Sequence, residues 1–385
     1  MKNRRRCSGD TRLFGHAWWR YWASLGLVQA NHEPQFSMAR KHLLILFPGN
    51  VMEPSGVDAR NCLRVYLHVR RLTPTDAVNF TSLGPHSRMK DIIVAAFVGE
   101  RFLLLRHLFR EKGTVYTTFV PFAAACIIYK IVFHMSYRIV AVIYGRPDWG
   151  FLNPTYRLLA ALVMKSVDGV VYSSEAETAS LVVRFAKRKI NIPPVLIDPK
   201  EWESWDQSAP VTLPALRGKK LVGIIGPFVG TNELAIDYLE RHVKEFLEDI
   251  VFVLVGSYDR NKHRATEKLV FVGYRKDDFM GIIKSLNCVL IPRIVTTGSP
   301  MTKMVVAMAA GVPVVTNTSE GMNIKPGRDA IVGKLEELPR LTNELLSSPE
   351  KAKLLGANGR KFVKENYLTE THMERLTSFL MPQET

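Results

Sequence analysis

The chain has 385 residues, 47% of them hydrophobic and 23% charged, enough for two domains with separate cores and too apolar for general disorder. Its net charge of +16 is uneven, with 27 Lys/Arg against 13 Asp/Glu in residues 1–199 and 25 against 23 in residues 200–385. A first half at +14 and a second at +2 mean either that the first domain faces an anionic surface or that it carries a solvated basic one. No zinc finger, helix-turn-helix spacing or aromatic RNA-binding signature points to nucleic acid, which leaves an acidic membrane as the anionic candidate. Cys7, Cys62, Cys126 and Cys288 have no paired spacing, which argues against a zinc site or a disulfide framework and fits a reducing compartment.

Residues 1–37 differ from the rest of the chain. They carry Arg4-Arg5-Arg6 and Trp18, Trp19 and Trp22, without an apolar core long enough for a signal peptide. A poorly ordered basic and aromatic extension is expected, either a membrane-surface tail or a segment upstream of a start at Met38. His42 to Phe47 is a short apolar run ending in Pro48-Gly49-Asn50, a strand and a loop. Pro54-Ser55-Gly56 then leads into an Arg-rich helical pattern, and strand, glycine loop and helix open a Rossmann-like half. Further strands are expected over Asp91 to Phe97, Thr114 to Thr118, Arg138 to Tyr144 and Gly169 to Tyr172. Helices are expected over Glu100 to Arg110, Pro121 to Met135, Pro154 to Ser166 and Glu175 to Lys189. This alternation predicts a parallel sheet covered on both faces.

The stretch from Gly113 to Tyr129 has 17 uncharged residues but contains Pro121, which argues against a transmembrane helix. Lys130, His134 and Arg138 follow at four-residue spacing. With the Arg101 to Arg110 helix, which puts Phe102, Leu105 and Phe109 on one side and Arg106 and Arg110 on another, they form a candidate face for anionic lipid. Ordinary amphipathic core helices would show the same pattern.

Pro193-Pro194, Pro199 and the polar run Glu201 to Pro210 interrupt the alternation, and a linker is expected near 199–218. A second series begins with a strand over Leu221 to Ile225, a glycine loop from Gly226 to Asn232 and a helix over Glu233 to Phe246. Strands over Ile250 to Val255, Leu269 to Val272, Asn287 to Ile291 and Val312 to Thr316 continue it. The expected division is therefore 1–37 extension, 38–198 first domain, 199–218 linker, 219–365 second domain and 366–385 terminal helix or tail.

Thr297-Gly-Ser-Pro-Met-Thr-Lys-Met-Val-Val-Ala-Met-Ala-Ala-Gly-Val-Pro-Val-Val315 is the most telling stretch. Ser299-Pro300 can open a helix, Met301 to Ala310 continue it, Gly311 suits the position just past its end, and a β-branched strand follows. A helix start offers N–H groups and a positive dipole end to a phosphate. Lys303 in the first turn opposes that dipole, and a cation kept there at a local cost suggests an anionic partner.

The stretch resembles the donor-binding motif of the group 1 (family 4) glycosyltransferases, retaining enzymes of the GT-B fold that often read Ser-Pro-x-Lys-x-x-Glu-x-Met-Ala-x-Gly-x-Pro-Val-Val. Ser299, Pro300, Lys303, Met308, Ala309, Gly311, Pro313, Val314 and Val315 match. The family glutamate falls on Val306, and the earlier acid of its Glu-x7-Glu pair falls on Gly298. The resemblance implies an α/β GT-B architecture, two Rossmann-like domains with parallel sheets facing a cleft. It also implies transfer of a sugar from a nucleotide-diphosphate donor, with retention, to a lipid-linked or glycan acceptor.

For the donor, the resemblance points to Lys303, with Ser299 and Thr302 at the same helix start, as the diphosphate grip. Gly226 and Gly230 lie in the second domain's first loop, where the family often has an Arg and a Lys that Pro227 and Thr231 replace here, leaving Lys303 as the only strong cation expected on that side. Ser55 and Gly56 stand where many members have a Gly-Gly pair, and Tyr274 is near the expected nucleotide base; each also reads as turn chemistry or packing. Tyr144 replaces a family His, and Asp148 is the nearby carboxylate that could serve the acceptor hydroxyl or simply cap a helix. No metal or cofactor is expected besides the donor, since Lys303 and the helix terminus replace a cation. A cytoplasmic protein, peripheral on the inner membrane face, is the expected setting. With both acids absent, a catalytically silent GT-B protein that binds nucleotide sugar or an active partner is the alternative.

Overall fold

The computed structural model describes the strands 42–46 and 78–80 and then residues 113–380, except 118–119, 133, 144–153, 174–183, 194–195, 227, 229–232, 259–262, 274, 276 and 296–300. The expected strand over Asp91 to Phe97, the helix over Glu100 to Arg110 and the extension 1–37 lie outside the described residues.

Among the described residues, two wholly parallel sheets of six strands each organise the chain. The first runs β2-β1-β3-β4-β5-β6, with β1 His42–Leu46, β2 Val78–Phe80, β3 Gly113–Thr117, β4 Arg138–Ile143, β5 Gly169–Tyr172 and β6 Lys189–Asn191. Helices α1 (Val120–Val132) and α2 (Pro154–Ser166) connect β3 to β4 and β4 to β5. Right-handed crossovers between strands laid down in one direction put both helices on the same face. The inward residues agree, since Ala123, Cys126, Ala160, Val163 and Met164 form one buried cluster with Val115, Ile139, Ala141 and Val170.

The end of α1 corrects one expectation. The helix stops at Val132, where the N–H groups of His134 and Met135 donate to the carbonyls of Ile131 and Lys130 at 3.4 and 3.0 Å and His134 takes a left-handed φ of 50°. That is a Schellman ending. Lys130, His134 and Arg138 therefore do not share a helical face: Lys130 pairs with Asp168 at 3.1 Å, and Arg138 starts β4 and donates to the carbonyl of Leu380 at 3.1 Å. The helix expected over 175–189 also ends early, because Lys189–Asn191 pair with β5 as β6.

Between the sheets, 199–218 opens with α3 (Pro199–Gln207), capped by Asp198 accepting from the Lys200 N–H at 2.9 Å. Trp202 of α3 is buried with the second sheet's core. The Lys284 ammonium donates to the carbonyls of Asp206 and Ser208 at 3.0 and 2.8 Å, so this segment is fastened to the second domain.

The second sheet runs β12-β11-β10-β7-β8-β9. Its strands are β7 Lys220–Ile225, β8 Ile250–Val255, β9 Leu269–Gly273, β10 Cys288–Ile291, β11 Val314–Thr316 and β12 Ile331–Val332. Around it lie α4 (Leu234–His242), α5 (Phe279–Lys284), α6 (Thr302–Ala309), α7 (Leu338–Leu346) and α8 (Pro349–Asn366). Strand alternation divides its apolar side chains: Leu221, Ile225, Val253 and Val289 join the core under α6, while Val222, Ile224, Leu254 and Leu290 join the core under α4 and α7. The final helix α9 (Thr369–Leu380) crosses back to the first sheet, where Met373, Leu376, Phe379 and Leu380 are buried with Tyr116, Val140, Val142 and Val171.

Candidate functional site

In the second sheet the chain moves from β7 outward to β8 and β9, then returns to the other side of β7 to lay down β10. The reversal between β7 and β10 is a topological switch point, where open α/β sheets leave a crevice beyond their carboxyl ends. Three adjacent strands end there on glycine with positive φ: Gly226 after β7 (152°), Gly256 after β8 (146°) and Gly273 closing β9 (71°). The ladder continues through them, with the Gly226 N–H donating to Val255 and the Gly256 N–H to Gly273, both at 3.0 Å. A Cβ at Gly256 would lie 1.7 Å from the Gly226 carbonyl oxygen, so the row depends on bare backbone.

On the other side of the switch point, β10 runs through Pro292 into Arg293. The Arg293 backbone is clamped by Asn317, whose Oδ1 accepts from its N–H at 2.7 Å and whose Nδ2 donates to its carbonyl at 2.9 Å. Helix α6 follows. Its N-cap is Met301, with extended backbone and no side-chain cap, and its first turn holds no acid. The helix thus begins two residues later than Ser299-Pro300 would open it. Lys303 still falls in the first turn. At the far end Gly311 has a φ of 74°, and the N–H groups of Gly311 and Val312 donate to Met308 and Ala307 at 2.9 and 3.0 Å, the expected glycine stop. The Arg360 guanidinium donates to the Ala309 carbonyl at 2.9 Å, pairs with Asp206 and lies over the Trp202 ring at 4.8 Å, so α6 is held from behind by α8 and α3.

Lys303 reaches back across the switch point to Gly226. A Cβ built on Gly226 would stand 3.0 Å from both Cε and Nζ of Lys303, so a larger residue there would push the end of the lysine aside. Burial, with a smaller contribution from the like charge of Arg293, lowers the Lys303 pKa from 10.5 to about 8. Keeping the group charged at neutral pH therefore costs on the order of 3 kcal/mol. A half-buried lysine in the first turn of a helix with no side-chain cap, with Arg293 near enough to be felt, is a place that suits a polyanion.

Of the residues singled out by sequence, Gly226 and Lys303 are brought into contact, and Thr302 begins the same helix. Ser55, Gly56, Asp148, Gly230, Tyr274 and Ser299 lie outside the described residues. Lys303 is not the only strong cation on its side, because Arg293 influences it directly. Arg293 escaped the sequence reading, although a lone charge after a Val-Leu-Ile-Pro strand was visible. Gly256 also escaped, although it ends a fully buried strand. Val306 lies one turn beyond Lys303, half-buried and packed on the apolar core, so where the motif's glutamate would stand this chain presents a branched hydrocarbon.

Residues 219–347 match the family model described as Glycosyl transferases group 1. No curated protein matches the sequence. Among solved structures, HepE of Anabaena in complex with UDP-glucose aligns with a TM-score of 0.63 and 14% identity, over 89% of this chain and 99% of that one. Sucrose-phosphate synthase of Thermosynechococcus elongatus aligns at 0.69 and 14%, over 88% and 98%. A trehalose-6-phosphate synthase aligns at 0.63 and 12%, over 88% and 99%. The chain has the GT-B fold of these proteins, and its second domain is that of a group 1 glycosyltransferase.

Proposed function

We propose that the protein transfers a sugar from a nucleotide-diphosphate donor, with retention, to a lipid-linked or glycan acceptor. The observation that carries this reading is the Lys303 ammonium resting on Gly226 across the switch point, beside Arg293. A diphosphate laid over the glycine row would meet backbone at close range, the start of α6 with Thr302, and two cations, and Ser299 precedes that helix start in the chain. In transfer, the bond from the anomeric carbon to the departing phosphate oxygen breaks and a bond to the acceptor oxygen forms on the same face. The acceptor proton passes to the departing phosphate. Charge growing on that phosphate is what Lys303 and Arg293 would stabilise, so the proposal assigns this task to side chains and to no metal or other cofactor.

The relatives support the donor class, since HepE was solved with UDP-glucose and trehalose-6-phosphate synthase was used to study glycosyl transfer with retention. The basic first half supports an acceptor presented at an acidic membrane surface, with the protein peripheral on the inner, cytoplasmic face and no nucleic acid involved. No described helix is long and apolar enough to cross a membrane.

Val306 favours a second reading, a GT-B protein that binds nucleotide sugar without turning it over. Losing a polar contact to a donor hydroxyl costs about 1–3 kcal/mol, a severe handicap that still permits turnover. Calorimetry with UDP-, GDP- and ADP-sugars, followed by an NMR assay of transfer and hydrolysis with the best binder, separates the two. Transfer with retained anomeric configuration supports the enzyme, binding without any transfer or hydrolysis supports the silent protein, and no binding overturns both.

A further inference from the structure

We propose that the outer face of α1 and α2, continued by Phe185, docks on an anionic lipid bilayer. The inference deepens the membrane-side part of the functional reading. It names the surface responsible and relocates it from the Lys130, His134 and Arg138 stripe that the end of α1 removes.

Nine large hydrophobic side chains are exposed among the described residues, and six of them lie in the first domain: Ile128, Ile131, Val132, Leu158, Leu162 and Phe185. They are not scattered. Ile128, Ile131 and Val132 follow one another at helical spacing on α1, and Leu158 and Leu162 do so on α2. The two helices touch and turn their other sides into the same core. Ala186, next to Phe185, packs on that core as well, which puts Phe185 beside the pair. Ile131 and Leu158 are 67% and 62% exposed, so the ridge is open. An apolar ridge of this kind on an otherwise normal surface marks a contact with another phase or molecule.

Charge identifies the phase. Lys165 closes α2, and Arg184, Lys187 and Lys189 follow Leu162 in the chain, all exposed, while Arg188 turns to the other face of the sheet, over the Phe379 ring at 5.3 Å. Asp168 is the only acid among the described residues from 113 to 193, and it is occupied by Lys130 at 3.1 Å and by the Ile139 N–H at 2.8 Å. Apolar side chains bordered by exposed Lys and Arg suit an acidic headgroup layer, where the first enter the acyl boundary and the second meet phosphate. A second copy of the chain would bring the same basic border against itself. The surface therefore fits a bilayer better than self-association.

The test is co-sedimentation of the full chain with phosphatidylcholine vesicles, with and without phosphatidylglycerol, at low and high salt. UDP binding is measured by calorimetry on every variant, so that loss of the donor site is read separately from loss of docking. Wild type should sediment with the phosphatidylglycerol vesicles and be partly retained at high salt, because the apolar ridge is not screened. Ile131→Glu combined with Leu162→Glu should lower the partition coefficient about tenfold or more while UDP binding and melting temperature hold. Lys165→Glu combined with Lys187→Glu should weaken sedimentation mainly at low salt. The proposal is overturned by equal recovery with both vesicle types, by apolar variants that sediment like wild type, or by a dimer in analytical ultracentrifugation that those variants abolish.

Discussion

Residues 200–385 are nearly neutral, with 25 Lys/Arg against 23 Asp/Glu, yet they hold the concentrated cationic site. Residues 38–199 hold 21 against 11, a surplus of +10, yet what is described of them lays that charge along an outer surface. The difference teaches that net charge locates a partner for a surface, and local imbalance locates a site. In the second domain acids are abundant and many are paired, as in Arg328–Asp329, Arg340–Glu344 and Lys220–Asp249. At the switch point Lys303 is desolvated and also feels the like charge of Arg293. A long-range field attracts a charged surface, whereas a half-buried lysine at a helix start offers an anion a local contact.

The sharpest way to break the site without touching its charges is at the glycine row. Gly256→Ala would place its Cβ 1.7 Å from the Gly226 carbonyl oxygen on a residue with a φ of 146°. Backbone cannot yield there as a flexible side chain could, so a loss of about 3 kcal/mol or more is expected. It should appear as a lower denaturation midpoint together with lost nucleotide binding. An unchanged midpoint would mean that the strand ends are not as tightly stacked as the structure has them.

Lys303→Ala is next. Removing a charge-assisted contact to diphosphate should cost about 2–3 kcal/mol of donor affinity, roughly 30- to 150-fold. Stability should hold or rise, because the variant no longer keeps a desolvated ammonium. Arg293→Ala should do the same more weakly, about tenfold, since Arg293 lies outside the helix start that holds Lys303. Calorimetry that finds donor binding unchanged in Lys303→Ala removes the site assignment. A matching loss in the apolar Ile131 and Leu162 variants would blur the contrast between site and surface.

The pH dependence sharpens the same point. Lys303 is lowered to about 8 in the folded protein from an ordinary 10.5. Below pH 8 both folded and unfolded chains carry the proton, so the full burial cost is present. Between about pH 8 and 10.5 the unfolded chain binds more protons, and stability from this group rises with pH. Donor binding has the opposite sign. A diphosphate favours the ammonium, so binding should take up a proton above about pH 8, and affinity should fall up to tenfold per pH unit there. Titrations in buffers of different ionisation enthalpy should detect the uptake in wild type and none in Lys303→Ala.

Much of this was legible in the residues, for reasons that also explain what was not. β5 and β8 lie where the apolar runs put them, and the other expected strands of the second domain lie within two residues, because fully buried parallel strands are continuous Val, Ile and Leu segments. The glycine after α6 was legible because its two hydrogen bonds require a left-handed residue. The meeting of Lys303 and Gly226 depends on strand order, which no local pattern encodes; the resemblance suggested it and the switch point explains it. Arg293 was hidden because it becomes a neighbour of Lys303 only through the return of the chain beside β7. The segment 199–218 looked like a linker because of its prolines and charges, and Trp202 was the visible hint that part of it packs.

The smallest expected effect concerns Val306, and it separates the enzyme from the silent protein. Val306 sits one turn after Lys303 and is half-buried against the core. A glutamate there would lose some apolar packing, about 1 kcal/mol of stability, while placing an acceptor near the donor's hydroxyls. If the site turns donor over at a handicap, Val306→Glu should raise transfer several-fold, within the roughly 5- to 150-fold range that one polar contact spans. The added negative charge lies on the same helix as Lys303 and should also raise the lysine pKa, moving the onset of proton uptake above pH 8. That second readout does not depend on turnover, so it reports whether residue 306 faces the site even if no acceptor has been found. A variant whose proton uptake and turnover both match wild type would place residue 306 outside the site, and the missing acid would then say nothing about activity.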